Sequence, residues 1–102
     1  RFKMLVEERM KDPNLNVENM GREMGMSRVQ LYRKLKSLTN YSPNELLRQM
    51  RLKKSSFLLA ASEMTVSEIA YEVGFTSPSY FTKCYKELFG ESPTDFLKRK
   101  GG

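Results

Sequence analysis

Hydrophobic residues recur every three or four positions along most of the chain, which is the spacing of α-helices with one buried side. The first such stripe consists of Phe2, Leu5, Val6 and Met10 and predicts an opening helix. Ser, Thr or Asn residues precede the later stripes, and these residues cap the start of a helix. The pattern therefore predicts an all-α fold with about seven helices.

Two stretches about fifty residues apart carry the same series of signals. In the first, Asn16 is placed to cap a short helix, and Gly25 to end it in a left-handed conformation. Ser27 then begins a second helix, and Gln30 completes an S-x-x-[EQ] capping box. The buried stripes are predicted to be Val17, Met20 and Met24 in the short helix, and Leu31, Leu35 and Leu38 in the second.

The second stretch repeats these signals with different residues. Thr65 and Glu68 form a capping box, Gly74 ends the short helix, and Ser77-Pro78 begins the next one. The predicted buried residues are Ile69, Val73, Phe81, Tyr85 and Leu88. Two helices joined by a short turn containing Gly are typical of a helix-turn-helix, whose second helix enters the DNA major groove. An ordinary helical hairpin remains the alternative for either copy taken alone.

A longer helical pattern joins the two copies. Ser42 and Pro43 begin it, Glu45 completes a capping box, and neither Gly nor Pro interrupts it before about Ala61. Its buried face is predicted to consist of Leu47, Met50, Lys54, Leu58 and Ala61. About 18 residues at 1.5 Å each give roughly 27 Å, close to the ~34 Å between successive major-groove faces of DNA. The pattern predicts a rigid spacer of suitable length.

The chain is predicted to divide into two homeodomain-like helix-turn-helix subdomains and this linker helix. The predicted bounds are 1–41 for the N-terminal helix and first subdomain, 42–61 for the linker helix, and 62–102 for the second subdomain and a C-terminal helix. Ser92-Pro93 begins that last helix, with Phe96 and Leu97 facing inward and a basic end at residues 98–100. Each subdomain is expected to have its own core.

The composition argues against enzyme chemistry. The 102 residues include no His and a single Cys, Cys84, so the usual general base, an internal disulfide and a multi-thiolate metal site are all excluded. Neither a P-loop nor a G-x-G-x-x-G segment is present. We expect no catalysis, cofactor or metal in this chain, and we expect Cys84 to be a packing residue.

Signals for membrane insertion or export are also absent from the sequence. No apolar run approaches the roughly 18 residues of a membrane span, and no signal segment opens the chain. The chain begins at Arg1, already inside an amphipathic pattern, and we expect it to be a piece of a longer protein.

The positive charge is concentrated in one segment. Eight basic residues and one acidic residue lie between Arg28 and Lys54, whereas the rest of the chain carries ten basic and eleven acidic residues. A solvated surface usually mixes its signs, so this concentration favours a surface that binds a polyanion.

The residues that face outward on the second helix of each copy are the candidates for DNA contact, because they combine cations, hydroxyl groups and aromatic rings that suit base edges and phosphates. In the first copy they are Arg28, Val29, Tyr32, Arg33 and Lys36. In the second copy they are Ser79, Tyr80, Thr82, Lys83 and Lys86.

From residue 17 to residue 98 the chain resembles the DNA-binding domain of the AraC/XylS family of bacterial transcription regulators. The resemblance is carried by Gly25-Met26-Ser27, Leu31-x-Arg33-x-Leu35-Lys36, Ser42-Pro43, Arg51-Leu52, Leu58-Leu59, Ile69-Ala70, Val73-Gly74-Phe75, Ser79-Tyr80-Phe81, Tyr85-Lys86 and Gly90-x-Ser92-Pro93. Three positions depart from the family's usual residues, with Asn40 for Gly, Lys83 for Arg and Ser55 for Ala. Asn tolerates the left-handed conformation, but Lys lacks the bidentate fork of Arg and leaves base recognition at Lys83 in doubt.

The sequence of residues 24–28 and 31–36 further resembles the C-terminal output domain of hybrid two-component regulators from the Bacteroidetes. The resemblance implies a double-stranded DNA operator as partner, RNA polymerase as a further candidate partner, and a receiver or sensor domain elsewhere in the full-length chain. It implies no small molecule and no membrane contact for this fragment, and a cytoplasmic location, with a membrane anchor or kinase activity only in other parts of a hybrid protein. Two alternatives remain, a helical module that docks an acidic protein partner and a binder of structured RNA, although the A-form major groove excludes helices.

Overall fold

Seven α-helices account for most of residues 2–101, the part of the chain that the computed structural model describes. They are α1 (Phe2–Arg9), α2 (Val17–Glu23), α3 (Arg28–Thr39), α4 (Pro43–Ala61), α5 (Val66–Glu72), α6 (Pro78–Phe89) and α7 (Pro93–Gly101). This range contains no β-strand, so the predicted all-α fold is confirmed. Arg1 and Gly102, which close the predicted bounds 1–41 and 62–102, lie outside the described residues.

The predicted helix starts are confirmed by their hydrogen bonds. Capping boxes form at Ser27, Ser42 and Thr65, where the side-chain oxygen accepts from a backbone N–H three residues on. That residue's own Gln or Glu side chain accepts in return from the N-cap backbone N–H. The Ser42 hydroxyl and then the Ser42 backbone N–H lower the pKa of Glu45 below its ordinary value, because both donate to its carboxylate. The backbone N–H of Thr65 and then its side chain lower the pKa of Glu68 in the same way.

The same turn connects the two helices of each copy. The backbone N–H of Met26 donates to the carbonyl of Gly21 at 2.8 Å, and the N–H of Phe75 donates to the carbonyl of Ala70 at 2.9 Å. Asn40 ends α3 at φ 66°, in the left-handed conformation that Gly90 adopts at the end of α6. The substitution of Asn for Gly at this position is therefore accommodated without changing the turn.

The buried side chains form one continuous cluster, in place of the separate cores expected for the two subdomains. Met20 and Leu31 contribute from the first copy, Phe81 and Tyr85 from the second, and Leu52 of α4 lies between them. Cys84 is buried in this cluster, as predicted. The two copies therefore share one hydrophobic core around α4, although they are repeated in the sequence.

The prediction that Leu38 and Leu88 face inward is wrong. Leu38 is 71% exposed and Leu88 is 39% exposed, and both lie in the last turn of the second helix of their copy. In α3 the less exposed side of that turn is at Thr39, whose hydroxyl donates to the carbonyl of Leu35 at 2.7 Å. Seven residues turn a helix by about 700°, so Leu38 points within about 20° of the buried Leu31. Its exposure therefore comes from its place in the last turn of α3 and not from its direction around the helix.

The predicted buried face of the linker helix is correct only in part, since Met50 and Leu58 are half-buried and pack against the core. Leu47 is buried, but Lys54 and Ala61 are exposed, and the second half of α4 buries Leu52, Ser55 and Leu59 instead. Leu47 and Leu59 point about 120° apart, since each residue turns the helix by about 100°. The reason is that α4 contacts α3 on one side and α5, α6 and α7 on another. Ser55 is accommodated because its hydroxyl donates to the carbonyl of Leu52 at 2.6 Å.

The two copies are joined a second time at a point away from the linker backbone, which we call the subdomain junction and define by Met10, Asp12, Arg51 and Gly74. Arg51 of α4 donates through Nε to the carbonyl of Met10 at 3.2 Å and through Nη2 to the carbonyl of Asp12 at 2.9 Å. Gly74 of the second turn lies directly against Met10 and Arg51. Burial lowers the pKa of Arg51, although a guanidinium remains protonated at any ordinary pH.

Candidate nucleic-acid interface

The outward face of α3 presents all five of its predicted contact residues to solvent. Arg28, Arg33 and Lys36 are exposed, and the apolar groups between them are open as well, with Val29 58% and Tyr32 47% exposed. The opposite side of the helix is fixed in the core by Leu31 and Leu35, so the outward side chains stand on a rigid support. Val29 and Tyr32 lie side by side between these cations, and their apolar surface suits the methyl group of thymine in the major groove.

The outward face of α6 follows the same plan with fewer cations. Ser79, Lys83 and Lys86 are exposed, Tyr80 is 49% exposed, and Thr82 is half-buried. The ring of Tyr80 packs at 6.1 Å from the ring of the buried Phe75, which limits the directions the phenol can take. On the other side, Phe81 and Tyr85 hold the helix in the core.

A groove of about 730 Å³ runs between α3 and the first turn of α4, and we call it the α3 groove. Val29, Tyr32 and Arg33 line one wall, and Asn44 and Glu45 line the other. The α4 residues were not among the sequence candidates, because Glu45 was assigned only to a capping box. Ser42 Oγ donates to the Glu45 carboxylate at 2.9 Å, so this carboxylate points towards the N-terminus of α4.

A smaller cleft of about 310 Å³ lies between the two copies, and we call it the middle cleft. Asn44 and Arg48 of α4 line it together with Thr76 and Tyr80 of the second copy. Asn44 lines the α3 groove as well, so the two cavities adjoin at this residue, and we call them together the concave surface. Sequence reasoning noted Arg48 only as part of the basic segment and missed Asn44 and Thr76, since no sequence signal places these distant positions side by side.

The cations of this surface are mostly free of ion pairs. Arg28 approaches Glu18 at 3.7 Å, with both side chains largely exposed, and a pair of this kind contributes little. No carboxylate within residues 2–101 comes within 4 Å of Arg33 or Arg48, which line the two cavities. The same holds for the exposed cations on the outward faces of α3 and α6, which are Lys36, Lys83 and Lys86. Their charge is available to an anionic ligand.

Other kinds of site find no support in the part of the chain that the structure describes. It contains no cluster of three or more His, Cys, Asp or Glu side chains that could hold a metal ion. None of its helices is long and apolar enough to cross a membrane. The concave surface is therefore the strongest candidate for a functional site.

The chain is similar in sequence to known proteins. The sequence pattern of a helix-turn-helix domain family matches residues 20–99. Histidine kinase P4 of Formosa agariphila is 39% identical over 95 residues, which cover 93% of this chain but only 7% of that protein. The chain spans about a third or less of the other curated regulators to which it is similar.

Solved structures have the same arrangement of helices. The C-terminal domain of AraT, a response regulator from Geobacillus stearothermophilus, is 27% identical and superposes with a TM-score of 0.89 over 97% of this chain and 82% of that one. The DNA-binding domain of AdpA, a global transcriptional factor solved in complex with a target DNA, is 26% identical, with a TM-score of 0.89 over 96% of this chain and 87% of that one.

Proposed function

Because the chain belongs to the AraC/XylS family of DNA-binding transcription regulators, we propose that it binds a double-stranded operator by placing α3 and α6 in two successive major grooves. The observation that carries this proposal is the duplication of one helix-turn-helix, with both second helices held by the core and exposed on their outward faces. The long axis of the described residues measures 47 Å, enough to span the ~34 Å between successive major-groove faces.

The proposed contacts follow from side-chain chemistry. Arg28 and Arg33 have the guanidinium fork that pairs with guanine O6 and N7, and Val29 and Tyr32 have the apolar surface that suits a thymine methyl group. Lys36, Lys83 and Lys86 are assigned to phosphates, which fix the register of the protein on the duplex. Ser79, Tyr80 and Thr82 complete the contacts of α6, with Thr82 reaching the duplex only from its half-buried position.

Binding should depend strongly on salt. If the concave surface neutralises about six phosphates, the logarithm of the binding constant falls against the logarithm of salt concentration with a slope near −5, at about −0.9 for each phosphate. Fluorescence anisotropy with a duplex selected from a random pool, at several salt concentrations, measures this slope. A slope near zero would contradict the assignment of the unpaired cations to phosphates.

Replacing Arg33 by alanine should weaken binding to the best site by about 1–3 kcal/mol and relax discrimination at one base pair. The reason is that Arg33 lines the α3 groove and has no carboxylate partner among residues 2–101. The matched control is Lys34→Ala, which removes a cation from the same helix outside the groove. Affinities for the selected duplex and its single-base variants give the result. An equal loss on every duplex would make Arg33 a phosphate contact.

The alternatives predict other partners. A module that docks an acidic protein would bind an acidic peptide as well as DNA, and a binder of structured RNA would prefer a folded RNA to the duplex. A competition series with duplex DNA, a scrambled duplex, single-stranded RNA and an acidic peptide separates these cases. A clear preference for one duplex sequence, with two protected half-sites in a footprint, is the expected result.

We propose that these 102 residues are the output domain of a longer regulator. The support is the short share of each relative that it spans and the likeness to the C-terminal domain of a response regulator. On this proposal a receiver or sensor domain lies elsewhere in the full-length chain, and any kinase activity belongs there. RNA polymerase is a proposed further partner, and the operator places the domain in the cytoplasm.

A further inference from the structure

We propose that the middle cleft binds the phosphodiester backbone of the duplex between the two major grooves, with Arg48 as its cation and Asn44 and Thr76 as neutral donors. The inference rests on the proposed function and extends it to residues outside the two recognition helices. The ligand is a phosphate diester, a group that carries one negative charge and several acceptor oxygens.

The position of the cleft favours the backbone over the bases. When two helices occupy successive major grooves on one side of a duplex, the strands that face the protein between them border the minor groove. The middle cleft lies at this place, because Asn44 connects it to the α3 groove and Tyr80 connects it to the outward face of α6. A group in the cleft therefore meets phosphates before it meets a base edge.

The charges around the cleft favour an anion. Arg48 is exposed, lines the cleft and has no carboxylate within 4 Å among the described residues. Arg51, one turn further along α4, lines the same cleft, but it donates to the carbonyls of Met10 and Asp12 and so fixes the wall. The nearby Glu45 carboxylate accepts hydrogen bonds from Ser42 and stays ionised, so it offsets part of the charge of Arg48 although it forms no ion pair with it.

Two neutral polar side chains of the cleft also favour a phosphate ligand. The side chains of Asn44 and Thr76 have no hydrogen-bond partner within residues 2–101, although both line the cleft. An amide and a hydroxyl beside a free guanidinium are typical donors to phosphate oxygens. Asn44 belongs to α4 and Thr76 to the turn of the second copy, so the cleft forms only when the second copy packs against α4 at the subdomain junction.

The test uses Arg48→Ala, Arg48→Lys and the matched control Lys53→Ala, in the 102-residue chain with a selected duplex. Lys53 is also an exposed cation of α4 but lines a different cavity, beside Lys3 and Glu7. We expect Arg48→Ala to lower affinity about tenfold for all duplexes alike and to reduce the salt slope by about 0.9. Arg48→Lys should keep the slope, and Lys53→Ala should change neither quantity.

Ethylation of single phosphates locates the contact. Ethylation between the two half-sites should weaken binding of the wild-type protein and have no further effect on Arg48→Ala. Millimolar inorganic phosphate should weaken the wild-type protein no more than an equal ionic strength of chloride, since the cleft is proposed for a backbone and not for the free ion. If Arg48→Ala keeps the affinity and the ethylation pattern of the wild-type protein, the inference is overturned. The proposed function stands in that case as long as the wild-type footprint shows two protected half-sites. A wild-type protein that binds no duplex overturns both.

Discussion

Replacing Gly74 by alanine should destabilise the fold by about 3 kcal/mol, whereas Gly25→Ala at the equivalent position of the first copy should cost about 1 kcal/mol. Both residues have a positive φ, 98° at Gly74 and 70° at Gly25, so both substitutions strain the backbone. Only at Gly74 does the new methyl group also meet neighbours. It would lie 2.1 Å from the carbonyl oxygen of Met10 and 2.7 Å from Nε of Arg51, while nothing lies within 4 Å at Gly25.

Chemical denaturation of the two variants and the wild-type protein measures the difference. We also expect Gly74→Ala to weaken protection of one half-site in a footprint, because the methyl group pushes the second copy away from the subdomain junction. Similar unfolding free energies for both variants would mean that the junction opens at no cost and does not fix the copies. Gly90→Ala, with a φ of 80° and nothing within 4 Å, is a second control for backbone strain alone.

Inserting one alanine after Lys53 should abolish bipartite binding and lower affinity by about 100-fold or more, towards that of a single helix-turn-helix. The insertion turns the second copy by about 100° relative to the first and shifts it by about 1.5 Å. It also separates Arg51 from Ser55 and Leu59 by one residue, which disturbs the junction and the buried side of α4 together.

Because the core is continuous, this insertion should also lower the unfolding temperature and make unfolding less cooperative, with much of the helix content retained. The footprint gives the first result, and circular dichroism during heating gives the second. Lys53→Ala without an insertion is the control, since it changes the same exposed position but keeps the phase of the helix. Unchanged protection of both half-sites by the insertion variant would show that α4 does not set their spacing.

The sequence predicted local features well, because local features have local causes. The capping signals at Ser27, Ser42 and Thr65 placed three helix starts, since a hydroxyl and a carboxylate or amide three residues on satisfy the free N–H groups of that helix. It failed where the environment of a helix changes along its length. Lys54 was assigned to a buried face because a straight stripe was assumed, but the two copies approach α4 from different sides.

The same limit applies to the candidate site. Nine of the ten predicted contact residues are exposed and Thr82 is half-buried, because outward positions on an amphipathic helix follow from its period. Asn44 and Thr76 were not predicted, since polar residues are common near helix ends and most of them cap a helix or face solvent. Only the packing of the two copies brings Asn44, Arg48 and Thr76 around one cleft.

The subdomain junction has a consequence for how such a domain can diversify. Arg51 donates hydrogen bonds to main-chain carbonyls, which every amino acid provides, and the side chains of Met10 and Asp12 accept none of these bonds. Substitutions on the outward faces of α3 and α6 leave these hydrogen bonds and the contact at Gly74 unchanged. If α3 and α6 read bases as proposed, the two helices can acquire new base preferences independently of each other, while the junction keeps the distance between their targets unchanged.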